Sequence, residues 1–187
     1  MAKITLNSAL TELRGGIDNW IYRKNGNGFI VTKRPVNNVP PTEAQLAIRD
    51  QFAAAAAYAK AILTDAVVGP RYVEAAKKAG LRPYAFALAD YFKPPVVQAI
   101  VTAAYHGAVG EPIEVRAIDD FEVAGVTVAI KGPADAVIEH GEAALVNGVW
   151  RYTATTAIPA GTAVTIEAVA TDRPGHTGSH SVPLVVG

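Results

Sequence analysis

Asp119, Asp120 and Asp172, together with His176 and His180, are the side chains whose types and spacing come nearest to chemistry in this sequence. Aspartates on two loops at one end of a sandwich supply the hard oxygen donors that Ca²⁺ takes, with backbone carbonyls completing the shell. Aspartates in turns more often accept hydrogen bonds from nearby backbone N–H groups, and that is the role assigned to these three, with no metal and no cofactor. His176 and His180 are four residues apart, a spacing that converges on one metal only in a helix. In a strand it separates them by about 13 Å. Ser179 beside His180, with Asp172 upstream, does not make a hydrolase: neighbouring strand residues point to opposite faces, and no nucleophile elbow or oxyanion glycines frame the serine. The chain has no cysteine, which removes thiol nucleophiles, thiolate metal sites and disulfides together. The sequence is therefore read as non-enzymatic.

A different kind of signal lies in the stretch from Ile17 to Arg34, IDNWIYRKNGNGFIVTKR. Two extended runs flank Asn25-Gly26-Asn27-Gly28, residues that tolerate positive φ, and the stretch reads as a β-hairpin. Straight alternation along 17–24 puts Ile17, Asn19, Ile21 and Arg23 on one face and Asp18, Trp20, Tyr22 and Lys24 on the other; Phe29, Val31 and Lys33 then oppose Ile30, Thr32 and Arg34. A surface strand keeps one face polar. Here both faces carry apolar groups, and an isolated hairpin is barely stable in water, so the ribbon needs cover. Either the chain's own helices supply it or a neighbouring copy does. The second reading makes Ile17, Trp20, Tyr22, Phe29 and Val31 the contact residues of a self-assembly arm. The aromatics could also stack on single-stranded nucleic acid, but they are few and the acidic remainder of the chain would repel phosphate, which argues against a nucleic-acid partner.

The elements that must carry this arm follow from composition and period. Of 187 residues, 50% are hydrophobic, enough for a real core. The net charge is zero, yet residues 1–34 hold Lys3, Arg14, Arg23, Lys24, Lys33 and Arg34 against Glu12 and Asp18, a net +4, while ten carboxylates against four cations leave residues 111–187 at −6. A basic head and an acidic tail suit head-to-tail contact between copies. The apolar stretch from Phe52 to Gly69 is broken by Lys60 and Asp65 and falls short of a membrane span. No Sec-type leader is expected at the N-terminus, where Glu12 and Arg14 follow with no long apolar core. The compartment is left open, extracellular or virion-associated if the chain forms a filament and cytoplasmic otherwise.

Residues 3–13 read as a short strand turning into helix, broken at Gly15-Gly16, and Pro35 and Pro40-Pro41 bracket a stiff extended linker. Thr42 with Gln45 forms a capping box, and Ile48, Phe52, Ala55, Ala56, Ala59, Ile62 and Leu63 make one broad stripe, so 42–64 is a helix whose stripe is read as core. A second helix, with Pro70 at its first position, runs through Lys78 and a third from Pro83 to Phe92, stopped by Lys93-Pro94-Pro95. A strand through Val96, Val97, Ile100 and Val101 follows. Beyond Gly110 come short β-branched runs at 113–117, 123–131, 136–140, 142–146, 149–155, 164–171 and 181–186. The fold class is α+β: an N-terminal β-hairpin arm and linker (1–41), a small three-helix unit (42–109) and a C-terminal immunoglobulin-like β-sandwich (110–187).

Two resemblances bear on this division. Ala117-Ile118-Asp119-Asp120, Val126-Thr127-Val128, Gly148-Val149-Trp150-Arg151-Tyr152-Thr153-Ala154 and the run from Ala170 through Asp172 and Gly175 to His176 resemble bacterial immunoglobulin-like modules, whose terminal strand ends in an A-x-D-x-x-G-like turn. The hairpin, Lys33-Arg34-Pro35 and Pro41-Thr42-x-x-Gln45-x-x-x-Arg49-x-x-Phe52 resemble uncharacterised bacterial and phage-like proteins that join such a hairpin and helix to an immunoglobulin-like tail. The resemblance implies a recurring unit of hairpin, helix and sandwich, of the kind found in surface, adhesive or virion structural parts, and carries no activity. The expected function is a structural protein that self-assembles head to tail, as a filament or virion-like polymer, with copies of itself as partners. The alternative is a monomeric surface- or carbohydrate-binding module.

Overall fold

The computed structural model describes residues 2–4, 15–25, 28–35 and 39–187. The chain divides into two compact units, Met1–Ala47 and Ile48–Gly187. The fold is α+β, as expected.

The first unit holds a four-stranded antiparallel sheet of β1 (Ala2–Ile4), β2 (Gly15–Ile17), β3 (Trp20–Asn25) and β4 (Gly28–Lys33), in the order β1-β4-β3-β2. Asn25 pairs with Gly28; the turn residues between them, Gly26 and Asn27, lie outside the described residues, as do 5–14 and the linker residues 36–38. The hairpin is thus the centre of a larger sheet. Its first strand is also not straight. Asp18 takes φ 51°, and Ile17 pairs with Trp20, so Asp18-Asn19 is a two-residue turn that folds Gly15–Ile17 back on β3. A backbone N–H bond from Arg34 to the Asn19 carbonyl, 2.6 Å, fixes this turn. The expectation that Ile17 lies on the face opposite Trp20 is corrected: directly paired residues share a face.

Helix α1 (Glu43–Thr64) crosses the division between the units and starts on the expected capping box, the Thr42 hydroxyl accepting from the Gln45 N–H and the Gln45 side chain from the Thr42 N–H. Its stripe is not all core. Only Ala55 and Ala59 are buried; Ile62 and Leu63 are half-buried, and Ile48 and Phe52 are exposed. After a bend of 108°, α2 (Val68–Lys78) begins two residues before Pro70, because the Asp65 carboxylate accepts from the Val67 and Val68 N–H groups and opens the helix there. α3 (Pro83–Tyr91) has Pro83 in its first turn, where its missing N–H is not needed.

The rest is a seven-stranded antiparallel sheet folded into a sandwich-like or barrel-like layer pair. In chain order the strands are β5 (Val96–Val101), β6 (Pro112–Ile118), β7 (Val123–Lys131), β8 (Val137–Val146), β9 (Val149–Thr153), β10 (Ala163–Asp172) and β11 (Thr177–Val185), and their spatial order is β11-β10-β7-β8-β9-β6-β5. β5 lies upstream of Gly110 yet pairs with β6. β8 replaces the two strands expected at 136–140 and 142–146: up to Ala143 it pairs with β7 and from Ala144 with β9, passing from one layer to the other. Alternation along β7 and β10 sends Val126, Val128, Ile130, Val164, Ile166, Ala168 and Ala170 inward, where they meet Ile113, Val115 and Tyr152. Asn147 and Gly148, both at positive φ, make the tight turn between β8 and β9.

Candidate functional site

In the arm, pairing runs Ile17 to Trp20, Trp20 to Lys33, Tyr22 to Val31 and Lys24 to Phe29. Ile17, Trp20, Tyr22, Phe29 and Val31 therefore share one face, with Lys24 and Lys33 at its margins. Ile17 is 62% and Trp20 48% exposed; Tyr22, Phe29 and Val31 are half-buried, and none of the five is buried. The other face carries Ile21, Ile30 and Thr32 with Arg23 and Arg34. The Asp18-Asn19 turn is the device that adds Ile17 to the aromatic side. Among the described residues the edge strands β1 and β2 are three residues long, and edges so short expose few free backbone groups for another chain to pair with. What the arm presents is a face.

In the second unit, a polar and aromatic cluster ties the helices to the end of the sandwich. Phe121, on the loop between β6 and β7, stacks on Tyr72 of α2 with centroids 3.8 Å apart and meets Phe86 of α3 edge-on. Beside it Glu122 pairs with both Arg71 and Arg173, and Lys93 with Asp120 at 2.6 Å. Inside lies Asp90 of α3, 1% exposed. The Tyr72 hydroxyl donates to Asp90 Oδ2 at 2.6 Å; that proton being spent, the Tyr58 hydroxyl, 2.8 Å from Tyr72, is the donor in the next link. Asp90 Oδ1 has no partner among the described residues.

Burial raises the Asp90 carboxyl to about 6, opposed by the Tyr72 hydrogen bond and reinforced by the nearby charges of Asp119, Asp172 and Asp120. The folded state then binds a proton that the unfolded chain, with an ordinary aspartate, releases near 3.8. Stability from this site is complete below 3.8 and is lost as pH rises through about 6. Asp90→Asn is expected to flatten that loss: the stability difference between variant and wild type, read from urea midpoints, shifts in the variant's favour by up to about 3 kcal/mol between pH 4 and pH 7.5. Carboxylates held low by backbone N–H groups, such as Asp65 and Glu111, act in the opposite sense but cancel in the comparison. An unchanged pH profile would contradict a charged, buried Asp90.

Two of the three loop aspartates act as turn acceptors, and the third, Asp120, is instead an ion-pair partner. Asp119 Oδ2 accepts from the Phe121 and Glu122 N–H groups, and Asp172 Oδ1 from those of Gly175 and His176. Asp120 faces Lys93. No group of three or more His, Asp or Glu side chains is arranged to hold a metal among the described residues. His176 Nδ1 lies 3.3 Å from Asp172 Oδ2, while His180 pairs further along β11, opposite Ala168. Burial raises the Asp119 carboxyl despite its backbone donors.

The sequence reading missed an apolar ridge. Phe92, which caps α3, is 46% exposed and stacks on Phe52 of α1, itself 52% exposed, with centroids 6.2 Å apart. Val96 and Ile118, paired across β5 and β6 and both more than half exposed, continue it. Phe92, Lys93, Pro94, Val96, Ile118, Asp119 and Asp120 line an open cleft of about 380 Å³, and a second, of about 640 Å³, shares Phe92 and Pro94 with it and reaches Tyr91 and His176. The signal was present in the sequence: Phe92 stands at the helix stop before Lys93-Pro94-Pro95, and Ile118 directly before two aspartates, places where a large apolar side chain has little core to enter.

No protein-family model matches the sequence, and no curated protein matches it. Among solved structures, 50% of the chain is similar to 20% of an engineered protein at 24% identity and a TM-score of 0.36. A conjugative transposon lipoprotein from Bacteroides eggerthii DSM 20697 is similar over 49% of this chain and 95% of its own, at 14% identity and a TM-score of 0.27. No single helix among the described residues is long and apolar enough to cross a membrane.

Proposed function

We propose that this chain is a non-enzymatic structural protein that assembles head to tail, as a filament or virion-like polymer, through its N-terminal arm. The observation that carries the proposal is the arm's aromatic face, on which Ile17, Trp20, Tyr22, Phe29 and Val31 are gathered and none is buried. Contiguous apolar surface of this kind marks an interaction site. Charge supports self-contact, the basic arm and the acidic residues 111–187 being complementary in sign. Because arm and target are different surfaces, the contact is heterologous and propagates unless its rotation closes a ring. We also read the sandwich as immunoglobulin-like. The layers β5-β6-β9-β8 and β8-β7-β10-β11 support this, as does the resemblance of the 110–187 segments to bacterial immunoglobulin-like modules.

Deleting residues 1–36 tests the proposal, since it spares Thr42 and its capping box. The expected product is folded by circular dichroism and stays monomeric at concentrations where the full chain polymerises. A full chain that elutes as a monomer at every concentration and at both low and high salt would instead favour a monomeric binding module.

A further inference from the structure

The arm needs a receptor, and two routes by strand addition are restricted. Its own edges are three residues long among the described residues. The terminal strands of the large sheet, β5 and β11, approach each other closely, with the Pro95 carbonyl against the Cα of Gly178, which leaves little room for an added strand at that end. Contact by face remains open. The ridge of Phe52, Phe92, Val96 and Ile118 is the exposed apolar surface of the second unit that combines aromatic side chains, an adjoining cleft and acidic margins.

We propose that the aromatic face of one copy's arm seats on the Phe52–Phe92–Val96–Ile118 ridge of the next copy, with Lys24 and Lys33 directed to its Asp120 side. This rests on the assembly proposed above and names its receptor. The occupant is a second copy because the two surfaces match in kind and in charge. The arm sets an aromatic face between lysines, while the ridge sets aromatic and aliphatic groups beside Asp120, which is exposed and already shared with Lys93, on a segment, residues 111–187, that carries a net −6; Asp119 is turned inward onto the Phe121 and Glu122 N–H groups. Aromatic residues at the centre of an interface carry a large share of its affinity, and charges at its rim govern register and salt dependence.

Mixing two defective chains separates the receptor from the assembly itself. Trp20→Asp spoils the arm and leaves the ridge; Phe92→Asp spoils the ridge and leaves the arm. Each alone is expected to be monomeric in sedimentation velocity, its self-association weakened roughly thirty-fold or more. Mixed in equal amounts, they are expected to form a 1:1 dimer that cannot grow, since one good arm meets one good ridge and the remaining ends are both dead. Thermal melts monitor folding, and Val96→Asp and Ile118→Asp, at exposed positions, replace Phe92→Asp if that variant unfolds. If Trp20→Asp abolishes polymerisation but none of the ridge variants does, the receptor lies elsewhere and this inference fails while arm-mediated assembly stands. If wild-type chains never associate, both fail.

Discussion

Gly178→Ala is expected to cost the second unit about 3 kcal/mol or more and to lower its melting midpoint by roughly 10 °C. An added Cβ at this position in β11 would fall well inside van der Waals contact of the Pro95 carbonyl oxygen and 2.9 Å from its carbon. Both are backbone atoms, so no side-chain rotation relieves the overlap. Gly178 is itself paired with Ala170 of β10, and Pro95 leads directly into β5, so relief means parting the strands where the two ends of the sheet meet. The control is Gly125→Ala in β7. A Cβ there meets nothing within 4 Å and the backbone is not in the left-handed region, so the change is expected to stay within about 0.5 kcal/mol of wild type. Equal stability of the two variants in urea titrations would show that β5 and β11 do not approach as described.

Tyr72→Phe is expected to destabilise the second unit by about 2–4 kcal/mol at pH 7.5, although it removes only one oxygen. The ring keeps its stack on Phe121 and its edge contact with Phe86. What is lost is the 2.6 Å donor to Asp90, whose other oxygen already lacks a partner, together with the acceptor for Tyr58. A carboxylate that is 1% exposed is then left with no hydrogen bond at all. The penalty belongs to the charged form, so it should shrink as pH falls through about 6 and Asp90 takes up a proton. In the Asp90→Asn background the same substitution should cost much less, and this non-additivity distinguishes a lost charge partner from a packing defect. A cost independent of both pH and the residue at 90 would assign Tyr72 a packing role alone.

The helices were legible because their boundary chemistry is local. Thr42 and Gln45 reach each other within one turn, and Pro83 and Lys93-Pro94-Pro95 act on the backbone next to them. The inward sides of β7 and β10 were legible for a similar reason, since alternation needs no knowledge of the partner strand. A turn with neither glycine nor proline was not. Asp18-Asn19 interrupts a run whose alternation reads straight through, and the positive φ of Asp18 with the pairing of Ile17 to Trp20 shows that the chain reverses there. Gly141 looks like a strand break, but it lies under the Tyr152 ring, where a Cβ would be 2.9 Å from Cε2, so glycine serves packing inside a continuous strand. The exposure of Ile48 and Phe52 could not be read from a stripe, because periodicity identifies an apolar face without saying what covers it. Nor could the isolation of Asp90 in an otherwise apolar helix reveal that a tyrosine from α2 would meet it. The arm residues stand out in the sequence by bulk and aromaticity; that Ile17 shares a face with the other four depends on a turn two residues long.

Negative-stain imaging of the purified full chain beside Trp20→Asp, at one protein concentration, is the most direct test of self-assembly through the arm. The full chain is expected to show filaments or regular shells and the variant only single particles, both having the same melting behaviour. Single particles in both samples, or polymers in both, would contradict an arm that joins one copy to the next.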